Sequence, residues 1–242
     1  MRTNPLLPGA LALAVGIAAT ARAGTFTWTW DGVGLEVPDA PFVGDPVTVS
    51  DTRTVTTGYA TGIAEIRDSS VWLRVVGSDG AGGAGTMWNG DLSVRLTHED
   101  GTSVTLLNRV GRTAASADGS PGNGFDVHFV LGALDDIHAA APASGTTLVG
   151  EFQADGRSGN PSTVLDTSAR DATLDSLLAA FAAGNRTPDG QWTLSVTDLS
   201  TGSLARVEAW GMSLEVVPEP ETTAVVGAAG LLAFALWRRR TR

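Results

Sequence analysis

The sequence predicts an all-β sandwich with one short helix over residues 24–216, on three observations. Short runs of alternating apolar and polar residues recur along the chain. Turn pairs punctuate them: Asp79-Gly80, Asn89-Gly90, Asp100-Gly101, Asp118-Gly119, Asp155-Gly156 and Asp189-Gly190. A single stretch follows a helical period instead. Many short strands joined by such turns pack as a sandwich or a barrel.

Residues 25–30 alternate cleanly, with Phe26, Trp28 and Trp30 on one face. Strand patterns continue at 71–75, 91–97, 104–107, 125–131, 192–197 and 206–216. The helix is read from Leu174, Leu177, Leu178 and Phe181, which recur at i, i+3, i+4 and i+7. Asp171 is its expected N-cap and Gly184 its C′ residue, with the apolar stripe covering an open end of the sandwich. Two glycine-rich stretches, 77–85 and 111–124, lead into no helix carrying Lys-Ser or Lys-Thr. They read as strand connections, not phosphate cradles.

Both chain ends read as addresses. Arg2, the apolar run 11–19 and the small-residue site Ala21-Arg22-Ala23 form a secretory signal, cleaved to leave Gly24 first. At the far end stand Pro218-Glu219-Pro220, an uncharged apolar stretch 224–237, and four arginines in the last five residues. The two prolines hold the spacer extended and open to a processing enzyme. Counted from Thr222, the apolar segment would span roughly 24 Å as a helix, a short transmembrane-type span with a positive-inside flank. The chain divides accordingly into a signal (1–23), a body (24–216) and a sorting tail (217–242).

Composition narrows the partners of the body. Without the arginines of the two addresses it keeps ten basic residues against twenty-four acidic ones, a net charge of −14. Such a surface repels nucleic acid and anionic lipid. The chain has no cysteine, which excludes thiol catalysis, cysteine-ligated zinc and iron–sulfur clusters. A body of this size can build its core without disulfides.

The tail resembles the PEP-CTERM sorting signal of Gram-negative bacteria, which implies cutting near Pro218, Glu219 and Pro220 by the membrane transpeptidase exosortase. Several blocks of the body occur in the order of another family. They include Asn89-Gly90-Asp91-Leu92, Asn108-Arg109-Val110-Gly111, Asp126-Val127-His128-Phe129, Gly190-Gln191-Trp192-Thr193-Leu194-Ser195-Val196-Thr197-Asp198 and Trp210-Gly211. Over residues 37–216 the set resembles the P domain (P/Homo B) of subtilisin-like proprotein convertases. That resemblance implies a jelly-roll-like, galactose-binding-like sandwich. It does not import proteolysis, because the peptidase of those enzymes is a separate, larger domain. This chain has no Gly-x-Ser-x-Gly motif.

The chemical candidates are few, and no catalytic residue is assigned. His128 shares the polar face of its strand with Asp126 and is expected in solvent. Asp135 and Asp136 precede His138, a grouping that suggests a cation site or an acid–base pair, though no EF-hand spacing is present. Asp91 and Asp198 match motif positions of the resembled family and read either as turn caps or as calcium ligands. Of the seven tryptophans, Trp28, Trp30, Trp192 and Trp210 read as core. Trp72 and Trp88 are the candidate exposed aromatics for stacking on a sugar.

The function expected is therefore that of an exported, non-catalytic surface or matrix protein, an interaction module contacting exopolysaccharide. Two rivals stand beside it. A polysaccharide-active enzyme would need two facing carboxylates in a cleft, one with a raised pKa. An accessory domain for a separate serine peptidase would need a contiguous exposed apolar patch. An exposed Trp72 or Trp88 beside polar loop groups favours sugar binding.

Overall fold

A computed structural model of the chain describes residues 23–42, 45–58, 63–133, 135–140, 142–184, 186–218, 232 and 236–239. The strands are β1 (Gly24–Val37), β2 (Val47–Val55), β3 (Ile63–Ser78), β4 (Leu92–His98), β5 (Ser103–Asn108), β6 (Phe125–Val130), β7 (Leu148–Phe152), β8 (Gly190–Asp198) and β9 (Leu204–Pro218), with one helix, α1 (Leu174–Gly184), before β8. They form a five-stranded sheet in the order β1-β9-β3-β6-β7 and a four-stranded sheet in the order β2-β8-β4-β5. The expected all-β sandwich is what forms. Every pairing is antiparallel except β6 with β7, which run parallel. A parallel pair needs a long crossover, and residues 131–147 supply it.

Period-two patterning builds the core between the sheets. Along β8, Trp192, Leu194 and Val196 are fully buried; Leu73 and Val75 of β3 and Val94 and Leu96 of β4 are fully buried too. Trp192 and Trp210 are the largest fully buried side chains, and each indole N–H has a partner. Trp192 Nε1 donates to Pro188 O at 2.9 Å and Trp210 Nε1 to Asp51 Oδ2 at 2.7 Å. Trp28 and Trp30 depart from the core reading: they sit half-buried on β1, an edge strand.

The helix starts later than the sequence pattern implies. Its cap is Thr173, whose Oγ1 accepts from Ser176 N at 3.2 Å and whose carbonyl accepts from Leu177 N at 3.0 Å. Asp171 instead holds the Ser158 hydroxyl and backbone. Leu174, Leu177, Leu178 and Phe181 are buried as expected. Phe181 closes an aromatic group with Trp192 (ring centroids 5.8 Å apart) and His98 (5.2 Å).

Of the processing residues, Ala23 directly precedes β1 and Pro218 ends β9 opposite Ile63, so the last strand runs two residues beyond the expected boundary. Ala21, Glu219 and Pro220 lie outside the described residues, as does most of the expected C-terminal helix. Residues 232 and 236–239 are helical. Among the described residues no helix is long and apolar enough to cross a membrane.

Candidate functional site

Strand register collects four segments at one end of the sandwich. β4 begins where β8 ends (Leu92 opposite Asp198), β9 begins where β3 ends (Leu204 opposite Ser78), and β6 and β7 begin together (Phe125 opposite Leu148). The segments entering or leaving these strand ends therefore meet. Between them lies a cavity of about 430 Å³, lined among others by Met87, Trp88, Asp91, Asp118, Asn123 and Ser203. That size falls within the range of small-ligand sites, roughly 300 to 1,000 Å³.

A dense backbone lacing holds its walls. The side chain of buried Asn89 donates to Gly124 O at 3.0 Å and accepts from Gly124 N at 2.7 Å. Asn89 N donates to Gly122 O, and Gly90 N to Ser120 O, each at 3.0 Å. The chain packs so closely at Gly90 that a Cβ there would collide with Asp118 O and stand 2.8 Å from Gly119 Cα. The glycine-rich stretch 111–124 is thus a fixed wall of the site, beyond the plain connection expected of it. Asp39 closes the opposite wall by accepting from Gly202 N at 2.8 Å.

Trp88 reaches the mouth. It is 38% exposed, and its Nε1 donates to Asp118 O at 3.0 Å. That bond fixes the edge of the indole and leaves ring surface open to solvent. Trp72 behaves differently. It lies half-buried against the five-stranded sheet, over Gly211, where a Cβ would collide with its Nε1.

Asp91 and Asp198 come together, since Asp91 directly precedes Leu92 and Asp198 is the strand partner of Leu92. Asp91 is 6% exposed and Asp198 1%. Burial raises the Asp91 carboxyl to about 6, against the pull of the Arg109 charge. Burial raises Asp198 further, to about 7, although Ser200 N donates to its Oδ1 at 3.0 Å; the charge of Asp91 adds to the rise. Asp198 thus caps its own turn. Beneath them Arg109 holds a positive φ of 56°, rare for a side chain of its kind, and its Nε donates to Gly90 O at 2.8 Å. Burial lowers the Arg109 pKa, and the neighbouring Arg112 charge adds to that.

Asp135 and Asp136 do not join this group. Asp135 is exposed, and Asp136 binds the Arg157 guanidinium at 2.8 Å and the His138 backbone N–H at 3.0 Å. Burial pushes Asp136 upward, but the hydrogen bonds from Arg157 and the His138 N–H, together with the charges of Arg157 and Arg170, outweigh it and the pKa ends lowered. His138 is buried, with Nδ1 2.9 Å from Asp155 Oδ2 and Nε2 2.9 Å from Arg112 O. Both ring nitrogens face acceptors, an arrangement that favours the doubly protonated, positively charged imidazole. Burial opposes that charge, yet the hydrogen bond and charge of Asp155 and the Arg112 carbonyl together prevail and the His138 pKa is raised. Fully buried Asp155 also receives Arg157 Nη1 at 2.9 Å and Asn108 N at 2.9 Å. With both nitrogens engaged and no exposed ring atom, His138 holds loops together and has no free nitrogen to act as a base. His128, in contrast, lies exposed on β6.

Among the described residues no three acidic, histidine or cysteine side chains converge as a metal site. Of the four aspartates that could serve as calcium ligands, Asp91 and Asp198 come together, Asp136 binds Arg157, and Asp135 stands exposed. Asp118, Asn123 and Ser203 carry no sign of the site in the sequence, since Asp118-Gly119 marks a turn and nothing local shows what the turn faces.

No protein-family model matches the chain, and no curated protein matches it. Among solved structures, the VP2 subviral particle of infectious bursal disease virus aligns over 97% of this chain and 54% of its own, at 15% identity and a TM-score of 0.24. The chain spans about half the length of that capsid protein, and a likeness at this level carries no argument about fold or function.

Proposed function

We propose that the chain is an exported, non-catalytic surface or extracellular-matrix protein whose body is a P-domain-like interaction module contacting exopolysaccharide through the Trp88 cavity. One observation carries the binding part: an exposed indole stands beside carboxylate, amide and hydroxyl groups in a cavity of small-ligand size. Aromatic faces stack on the apolar face of a pyranose, while nearby polar groups select its hydroxyls. In this reading the sandwich is of the jelly-roll, galactose-binding-like kind, and the C-terminal segment anchors the chain in the inner membrane until exosortase cuts near Pro218-Glu219-Pro220. Calcium is not required for it. A glycan array probed with the full chain, with and without calcium, tests the binding; absence of binding to every glycan removes it. Mass spectrometry of the cellular protein tests the processing, and an intact C-terminus at Arg242 in a cytoplasmic fraction removes that part.

A second reading draws on a specific feature. Asp91 and Asp118 line the same cavity, and Asp91 titrates near 6, a pairing that polysaccharide-active enzymes use. Release of reducing ends from a bound polysaccharide, lost in Asp91→Asn, would favour it over the non-catalytic module.

A further inference from the structure

We propose that the Trp88 cavity selects an amino sugar bearing a free ammonium, so that the exopolysaccharide contacted is a hexosamine polymer with unacylated amines. This rests on the glycan-binding reading and narrows it to one chemical class.

The lining is acidic without counter-charge. Asp91 and Asp118 both face the cavity, and no basic side chain is among its lining residues. Neither carboxylate forms an ion pair among the described residues. The nearby cation, Arg109, sits behind the wall with its Nε committed to Gly90 O. Asp91 is more than nine-tenths buried, and it accepts a long 3.3 Å bond from Ser203 Oγ. Its side-chain partners are neutral hydroxyls, Ser203 and Ser200, and a buried carboxylate held only by hydroxyls gains from a cationic partner in direct contact.

Trp88 supplies the second half of the recognition. Its exposed ring lies at the mouth of that acidic site, where a sugar ring can stack and an ammonium can meet the π face. Charge decides between sugar classes. Uronate or sulfated chains are repelled by these carboxylates and by the net −14 of the body, and neutral sugars bring Asp91 no ion-pair partner. An ammonium satisfies the site. Asp118 from the 111–124 wall, Asp198 from β8, Arg109 from the β5 turn and the hydroxyls of Ser200 and Ser203 all bear on Asp91, while Asp39 bears on Asp198. An ammonium bound there competes with the proton on Asp91, so binding weakens as pH falls below about 6.

Calorimetric titration of the full chain near pH 6.5 with glucosamine, N-acetylglucosamine and galacturonate tetrasaccharides tests this directly. The glucosamine oligomer is expected to bind about tenfold tighter than its acetylated counterpart, with no detectable uronate binding. Asp118→Asn, on an exposed residue, is expected to shrink that preference while thermal unfolding stays unchanged, and Trp88→Ala to weaken both hexosamine oligomers. Equal or tighter binding of the acetylated or uronate oligomer overturns the ammonium selectivity and leaves the glycan reading standing. Binding of none of the three, nor of any glycan on an array, overturns both.

Discussion

Trp88 Nε1 donates a 3.0 Å hydrogen bond to the backbone carbonyl of Asp118, and that bond ties an exposed indole to the far wall of an acidic cavity. The two residues belong to different loops, brought together because β4 and β6 begin at the same end of facing sheets. The shape of the cavity depends on how firmly those loops are held.

Gly90 is where they press closest, so Gly90→Ala should separate them. The added Cβ meets backbone at Asp118, Gly119 and Ser120, not a side chain that could swing away. Overpacking of that kind costs about 1–3 kcal/mol. Urea unfolding should show a loss of that size, together with weakened glycan binding.

Asp198 makes the stability of the fold depend on pH. Its folded pKa of about 7 lies above the ordinary carboxyl value of 3.8, so the native state holds the proton more tightly than the unfolded chain. The contribution is complete below the unfolded value and is lost as pH rises through the folded one. Asp198→Asn keeps an acceptor for Ser200 N and removes the ionisation. The variant should therefore gain on the parent protein as pH rises from about 5 to 8, by an amount on the order of 2 kcal/mol, read from urea midpoints.

His138 acts in a higher window with the same sign. Its pKa is raised above 6.5, so its charge stabilises the fold fully below that value and ceases to do so as pH rises through the folded one. His138→Gln should flatten the fall in stability on the alkaline side of 6.5. Asp155→Asn leaves His138 and Arg157 facing a neutral amide in a buried site, which costs about 3–5 kcal/mol. In the parent protein, nitrogen-edited NMR should show N–H protons on both nitrogens of His138.

Trp192 tests the core itself. Its fully buried indole packs on His98 and Phe181, so Trp192→Ala opens a cavity between β8 and α1. A loss of about 3–5 kcal/mol in urea unfolding is expected.

The strands with regular alternation were legible in the sequence, because one sheet face is buried and the other wet. β2 escaped that reading for a physical reason. Asp51 and Arg53 stand on its inner-facing positions, opposite Leu194 and Trp192, and interrupt the apolar pattern. They are tolerated there because they pair with each other at 2.7 Å and Asp51 also receives Trp210 Nε1. β7 escaped because its five residues pair in parallel with β6 across a long crossover that no local pattern announces. At the site, Trp88 and Asp91 could be singled out by type and position. The wall they face could not, since Asp118, Asn123 and Ser203 reach the cavity through topology. The Asp155 partner of His138 was hidden in the same way, in an Asp-Gly pair that reads as an ordinary turn.

Glycan contact at Trp88 is tested most directly by following the indole N–H signals of the full chain by NMR as a glucosamine tetrasaccharide is added. The Trp88 signal, assigned by its disappearance in Trp88→Phe, is expected to shift with saturation, while those of buried Trp192 and Trp210 stay in place. Saturating shifts confined to Trp72, or an unmoved Trp88 signal at full occupancy, would contradict binding at this cavity.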